Sequence, residues 1–487
     1  MKENPTLVQT RRRVTVIGGG VSGLATAYYL SHLAGCEVDV TLVERSEELG
    51  GKVLTRAVAG HPVDLGPDAL LVRVPAMQSL LEDLGLAGDV VGPGANGAFI
   101  WSRGRLRPLP ASTVFGVPAQ LLPLLRSGLL SPLGIARAGL DLVLPRRRIP
   151  AGHDVSVGEL VRPRFGAQVF DRLVDPLLGG VHAGRADLLS ARSAVPEIDA
   201  LARGSRSIYL GTRGKPAPGQ SGPALVTLPG GLGQLIDALR DAIDGCDVRL
   251  GTSVERLTRT SDGYLVRLAD GSEVEADDVV LATPAHATAE LLADLSPGAG
   301  AACADIPYAD VASLTLVYPR EALAATPTGT GFLVPPEEGL LRVGCSWLST
   351  KWPHLSDPSA VLIRAMVGRY GDQRFVAMSD DELVDQVHDE LTRTMGLTST
   401  PTETYVQRWL RAMPQYTVGH QARLNRLDQA LAQLPGLHVT GAAYRGVGVA
   451  SCVSQARRTA ESVLSRPGPK VASAQLVNAD LANRGTG

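Results

Sequence analysis

Cysteine, aromatic residues and lysine are all scarce in this 487-residue chain, and each shortage removes a class of protein. The five cysteines, Cys36, Cys246, Cys303, Cys345 and Cys452, are far apart, odd in number and without a C-x-x-C pair, which excludes a disulfide framework and a cysteine-based zinc site. Aromatics make up 4% of the chain, leaving little for a site built of paired rings. Only five of the 47 basic residues are lysine, so arginine is the default cation. A net charge of −2 gives no concentrated positive face for a nucleic acid. No run reaches the ~18 apolar residues that span a bilayer, and the N-terminal MKENPTLVQTRRR lacks an apolar signal core; a cytoplasmic protein is expected.

Apolar residues, by contrast, are plentiful. At 44% hydrophobic the chain can bury a large core in roughly three lobes. RRVTVIGGGVSGLATAYYL, residues 12–30, reads as strand, glycine turn and helix, with Gly18-x-Gly20-x-x-Gly23 at the turn. The first glycine permits the turn, the second lets a pyrophosphate approach the backbone, and the third lets helix pack on strand. Glu44 ends the next strand, VDVTLVE, 21 residues after Gly23, where a carboxylate can accept both ribose hydroxyls and would repel a 2′-phosphate. A ligand-free glycine turn is the plainer alternative; strand, helix and acid in register weigh against it.

Further mixed text at 225–284, strand-like runs through 300–410 and a last strand, turn and helix at 437–464 imply an α/β protein. The expected plan is a Rossmann-like nucleotide domain in three segments (12–95, 221–295 and 411–465). A helical subdomain (96–220) and a mixed, β-rich substrate domain (296–410) are inserted, and 466–487 forms a flexible tail.

The second glycine pair, Gly50-Gly51 with Lys52 in ERSEELGGKVLT, and the Gly66-Pro67-Asp68-Ala69 turn in GHPVDLGPDALL resemble the second dinucleotide motif of the flavin family that includes amine oxidases, phytoene desaturases and porphyrinogen oxidases. LGGK alone would also suit a helix C-cap. The resemblance implies non-covalent FAD held by Gly18, Gly19, Gly20, Val21, Ser22, Gly23, Glu44, Arg45, Gly51, Lys52, Gly66, Pro67, Asp68 and Ala69. It further implies Val254 at the adenine half, and Trp409, Val447, Gly448 and Val449 at the flavin end; for Trp409, core packing is an equal alternative. In GAAYRGVGVASC, residues 441–452, a glycine turn enters a helix, whose free N–H groups suit the anionic charge of a reduced flavin.

Other stretches resemble porphyrinogen oxidases of the haem pathway across about residues 13–465: GRLRPLP, LVDPLLGGVHAGRADLLS, TLPGGLGQL, KWPH and RAMPQYTVGH. LVDPLLGGVHAGR is the most specific, because no nucleotide site needs it. An arginine of the eukaryotic protoporphyrinogen branch is matched here by Ala98, which favours the bacterial coproporphyrinogen III branch. That branch implies oxidation of coproporphyrinogen III to coproporphyrin III, with O2 as acceptor and H2O2 released. No catalytic acid or base is implied. Propionates favour arginine, and Arg73 and Arg185 are the first candidates, ahead of Arg103, Arg105 and Arg107.

Three alternatives remain: protoporphyrinogen IX as substrate, a flavin amine oxidase, or a non-catalytic FAD-fold escort. An amine oxidase would need a lysine near the flavin, and Lys351 is the only one between 216 and 469. The proline-broken apolar stretch 114–148, ending in three arginines, reads as a buried channel wall rather than a membrane-docking face; transient contacts with other haem-pathway enzymes are also conceivable.

Overall fold

The structure, a computed structural model, describes residues 11–34, 37–110, 113–146, 148–150, 152–212 and 225–466. Cys36 and all but the first residue of the expected tail lie outside these. Strand Arg12–Ile17 is buried along nearly its whole length, the pattern of a central parallel strand covered on both faces. It pairs in parallel with Val38–Val43 on one side and Asp278–Leu281 on the other. Asp247–Arg249 and Leu437–Val439 complete a five-stranded parallel sheet drawn from three separated parts of the chain.

Helices Val21–Ala34 and Val449–Ser465 pack against each other, burying Leu24, Leu30, Val453, Ala456 and Ala460 in one core. A second core joins the sheet to the antiparallel strands Val254–Arg259, Tyr264–Leu268 and Glu273–Ala276 and to helices Ala285–Leu292 and Pro297–Ala304. Each fully buried leucine or valine contributes about 1.5–3 kcal/mol.

The inserted sheet has seven strands, in the order Glu403–Pro414, Tyr308–Pro319, Ala360–Val367, Arg342–Trp347, Gly331–Leu333, Phe99–Ser102 and Arg105–Pro108. Helix Asp380–Met395 covers it with Leu383, Val387 and Leu391, spaced four apart; a Ser379–Glu382 capping box starts this helix and Gly396, at φ 71°, ends it. The hairpin Phe99–Pro108 therefore belongs to this sheet, although the sequence placed it in a helical segment. Its parallel partner, Gly331–Leu333, is remote in sequence, so nothing local announces the pairing. Likewise Glu403–Pro414 runs unbroken through the boundary expected at 410/411.

Segment 114–148 forms two short helices, Leu121–Ser127 and Pro132–Gly139, the second with Pro132 in its first turn. Its buried side, with Leu124, Leu130 and Ala138, joins the core of the helical body. The expected buried wall is thus only half right, because Leu122, Leu125, Leu133 and Val143 are exposed. No described helix is long and apolar enough to cross a membrane.

One buried carboxylate ties the parallel sheet to Arg12 and Arg466, which are 454 positions apart. Asp278 accepts from Arg12 Nε at 2.6 Å, pairs with Arg466 and has His438 Nε2 at 3.6 Å. Burial alone would raise this carboxyl, but the nearby His438, the bond from Arg12 and the charges of Arg12 and Arg466 hold it below its ordinary range. Its stabilising contribution is therefore full above the pKa of a free carboxylate and fades as pH falls through the lowered value. Asp278→Ala leaves Arg12 buried without its partner and should cost about 3–5 kcal/mol in urea denaturation at neutral pH. A loss below about 1 kcal/mol would mean that the cluster is solvated.

Candidate cofactor and active site

The first glycine turn is held from both sides. Gly18, at φ 109°, donates to Val43 O at 2.8 Å, and a side chain on Gly23 would place its Cβ 1.8 Å from Gly18 O. Those two glycines serve the fold. Gly20 differs: a Cβ there would make only ordinary contacts, with Gly50 O at 3.9 Å and Gly51 Cα at 4.0 Å, so the fold itself does not require a glycine at this position. The second glycine pair closes beside it, with Gly50 N–H on Gly19 O at 2.9 Å and a parallel bridge between Gly20 and Gly50. LGGK is thus part of the same turn rather than a helix cap.

Glu44 fixes the rim. Its carboxylate accepts from Gly19 N–H at 2.6 Å and Ser46 N–H at 2.9 Å, and retains further lone pairs for a ligand. Thr252 N–H reaches Glu44 O at 3.2 Å, which brings the chain leading into Val254 alongside.

At the other end of the site, helix Val449–Ser465 begins at Gly448, which provides no side-chain cap. The first N–H groups of this helix and of helix Val21–Ala34 have no partners within their helices. Both helices begin together, since Ser22 hydrogen-bonds the Cys452 thiol. Burial pushes that thiol up, so Cys452 is packed and protonated. The loop before Gly448 is tied down by Tyr416, whose hydroxyl donates to Ala442 O and accepts from Gly446 N–H, each at 2.7 Å. His420 stacks on Tyr416 at 4.0 Å and bonds Tyr444 O, while Gln455 accepts from Arg445 N–H.

The Gly66 loop is gripped by the inserted sheet. Arg364 donates to Asp64 O and Gly66 O at 3.1 and 3.2 Å, and Trp409 Nε1 donates to Leu65 O at 3.1 Å, so three successive carbonyls are captured. Trp409 therefore clamps this loop as well as filling space. A register shift in the strand pairing lies beside it, and Arg411 is left-handed at φ 47°. Asp68 pairs with Lys351 at 2.8 Å and Arg364 at 3.0 Å. Burial would raise its carboxyl, but those two cations hold it well below the usual range. Burial pushes the neighbouring Asp64 up to about 6, despite bonds from Thr55 and Leu232 N–H.

Positive charge collects around Lys52 and His286. Burial lowers Lys52, and Arg45 lowers it further; burial, Arg411, Lys52 and Arg45 all depress His286, with Glu290 opposing. Four basic groups thus sense one another, an arrangement suited to a diphosphate. A glycine at position 20 that the fold does not require, the two helix starts and these basic groups together fit a dinucleotide.

The candidate propionate arginines are less engaged with the site. Arg185 is exposed and forks onto Asp187 at 2.9 and 3.3 Å, and Arg73 is exposed. The end of helix Asp175–His182 and the residues after it to Arg185 are nevertheless firmly held: Arg369 donates to both Asp175 oxygens and to Gly184 O, and Gln415 Nε2 to His182 O at 2.8 Å. Sequence reasoning missed His286, Arg411, Tyr416, His420 and the Arg364 clamp, because their roles depend on partners remote in the chain.

Two predictions follow from this geometry. Gly20→Ala should leave the melting temperature of the apoprotein unchanged yet abolish cofactor retention, whereas Gly23→Ala should lower both, read by thermal unfolding and by bound chromophore. Lys52 with a lowered pKa loses its proton before an ordinary lysine, so anionic cofactor should bind more weakly as pH rises into the alkaline range. Lys52→Ala should remove that dependence in equilibrium titrations.

Comparison with known proteins places the chain. The profile of the flavin containing amine oxidoreductases matches residues 21–464. A coproporphyrinogen III oxidase of Bacillus subtilis is 33% identical over 93% of this chain and 98% of its own. One of Mycobacterium bovis is 35% identical over 95% and 100%. A solved structure from Exiguobacterium, provisionally described as a protoporphyrinogen oxidase, superposes with a TM-score of 0.83 at 32% identity, covering 93% of this chain and 99% of that one. A UDP-galactopyranose mutase shares the fold at a TM-score of 0.70 with 15% identity, covering 93% and 94%. Because the family match runs along nearly the whole chain, the protein belongs to the flavin containing amine oxidoreductase family and its cofactor is FAD.

Proposed function

We propose that the protein oxidises coproporphyrinogen III to coproporphyrin III, with O2 as final acceptor and H2O2 as by-product, using FAD held without a covalent bond. The observation that carries this reading is the near full-length match to bacterial proteins named coproporphyrinogen III oxidase. FAD supplies the hydride acceptor. Each round removes a hydride from a reduced meso carbon and a proton from a pyrrole nitrogen, and three rounds make the ring aromatic; each pair of electrons reduces one O2, which takes up two protons.

Aromaticity drives the reaction, so the chain's tasks are to orient and to exclude water. Arg364, Trp409 and Asp68 hold the Gly66 loop in place, while Tyr416, His420 and Gln455 fix the turn ahead of Gly448. The start of helix Val449–Ser465 supplies N–H dipoles toward developing negative charge. Arg185, just after the firmly held helix Asp175–His182, is the proposed propionate contact; it would exchange Asp187 for the substrate carboxylate. Arg73 is the second.

An amine oxidase is disfavoured by Lys351, which is committed to Asp68. Protoporphyrinogen IX remains the second reading, supported by a 29% identical chloroplastic protoporphyrinogen oxidase of Arabidopsis thaliana. Aerobic incubation with each porphyrinogen, followed by porphyrin fluorescence and peroxide, should show coproporphyrinogen III oxidised faster. A clear preference for protoporphyrinogen overturns the substrate assignment, and no rate above the enzyme-free control overturns the function. Arg185→Ala should raise KM about tenfold with little change in kcat, as loss of one charge-assisted contact requires.

A further inference from the structure

Five residues other than glycine have a left-handed backbone among the described ones: Ala59, Arg103, Phe115, Ala183 and Arg411. Local structure accounts for four. Ala59, Arg103 and Phe115 each precede a glycine of positive φ in a two-residue hairpin loop, whose tight turn needs that sign at both positions. Ala183 ends helix Asp175–His182 as left-handed caps commonly do. Arg411, at φ 47°, has neither reason, because it lies inside strand Glu403–Pro414. A long side chain disfavours this conformation, which persists only where the surroundings impose it and which gathers at functional sites.

A bulge imposes it here. Met413 faces Ala309 and Trp409 faces Val311, so Leu410, Arg411 and Ala412 stand opposite Asp310 alone. Asp310 closes the bulge by accepting the Arg411 N–H at 2.6 Å, while its other oxygen accepts from Gln373 Nε2 at 3.2 Å. The Arg411 side chain is exposed, and no hydrogen bond or ion pair among the described residues engages its guanidinium. Arg408, on the same strand, shows the contrast: it binds Asp380, Phe375 O and Met378 O and so serves the fold.

The bulge lies where the parts of the site converge. Trp409, two residues before Arg411, holds Leu65 O in the Gly66 loop; Gln415 and Tyr416, just after, hold His182 O and the Gly446 N–H. The charge of Arg411 also reaches Tyr308 and His286. The Tyr308 hydroxyl is occupied by Ala285 N–H, and Glu290, Lys52 and Arg45 are the other charges that His286 senses. Lys52 and Arg45 belong to the segment of the second glycine pair, whereas Arg411 is presented from the inserted sheet. We infer that Arg411 is a substrate-binding residue, its guanidinium taking a carboxylate of the porphyrinogen through paired N–H donors. The inference rests on the porphyrinogen reading above and adds a residue to it. Arg185 has to exchange Asp187 for such a carboxylate; Arg411 gives up no partner, so its contact is the stronger of the two. Strain in the backbone holds this cation in place without a protein partner.

Arg411→Gly separates this role from a structural one, because glycine adopts the left-handed backbone freely. The FAD-loaded variant should melt at the wild-type temperature or above and keep its FAD, while KM for coproporphyrinogen III rises about tenfold. Titration of the FAD-loaded proteins with coproporphyrin III, read by quenching of porphyrin fluorescence, should show about tenfold weaker binding by the variant. The tetramethyl ester, which has no free carboxylate, should bind both proteins alike in the same buffer. Arg411→Lys should recover part of the loss for the free acid. The inference fails if Arg411→Gly binds the free acid as the wild type does, or if acid and ester weaken together. It fails equally if the variant loses FAD, which would assign Arg411 to the diphosphate, or if it melts well below the wild type, which would make the residue structural. A wild type that neither oxidises porphyrinogens nor binds coproporphyrin III overturns the porphyrinogen reading itself, and this contact with it.

Discussion

Helix Val21–Ala34 packs along helix Val449–Ser465, and this contact between opposite ends of the chain brings two sets of unsatisfied N–H groups to one edge of the parallel sheet. Everything inserted between them has to leave that edge open. The chain obeys by returning to the sheet three times, so that Asp278–Leu281 pairs with the first strand and Leu437–Val439 with Asp278–Leu281, both from parts remote in sequence. A cofactor bound there is held by all three segments at once, which couples its retention to the integrity of the whole domain.

The second constraint is electrostatic. Burial and neighbouring positive charge lower both Lys52 and His286: Arg45 acts on both, and Arg411 and Lys52 act on His286. Such a cluster is costly without an anion and favourable with one. The inserted sheet solves a separate problem with the opposite balance: Asp68 satisfies Lys351 and Arg364, which frees the other Arg364 nitrogen to hold two carbonyls of the Gly66 loop. One loop of the chain that leads from the parallel sheet is thereby fixed to the inserted sheet.

Local motifs were legible in the sequence to the extent that their chemistry is local. Gly18, Gly23 and Glu44 have their roles written in spacing, because a strand, a turn and a helix must meet within a few residues. Gly50-Gly51 alone suits a helix end, and only its place beside that turn, through the Gly20–Gly50 bridge, sets it apart. Trp409 was undecided, and its indole bond to Leu65 O depends on a strand register that no periodicity reveals. The hairpin Phe99–Pro108 was misplaced for the same reason. Segment 114–148 misled differently: its apolar content was read as burial, whereas the spacing of Leu133, Leu140 and Val143 puts them on the outward face.

The central claim is that this site holds FAD where a porphyrinogen can deliver hydride to it. Anaerobic mixing of the FAD-loaded protein with one equivalent of coproporphyrinogen III, followed by absorbance, tests it most directly. The account predicts loss of the oxidised flavin band at the rate at which substrate is consumed, with the band returning when air is admitted. A flavin band that stays unchanged while porphyrin forms, or that bleaches equally with a simple amine, would contradict it.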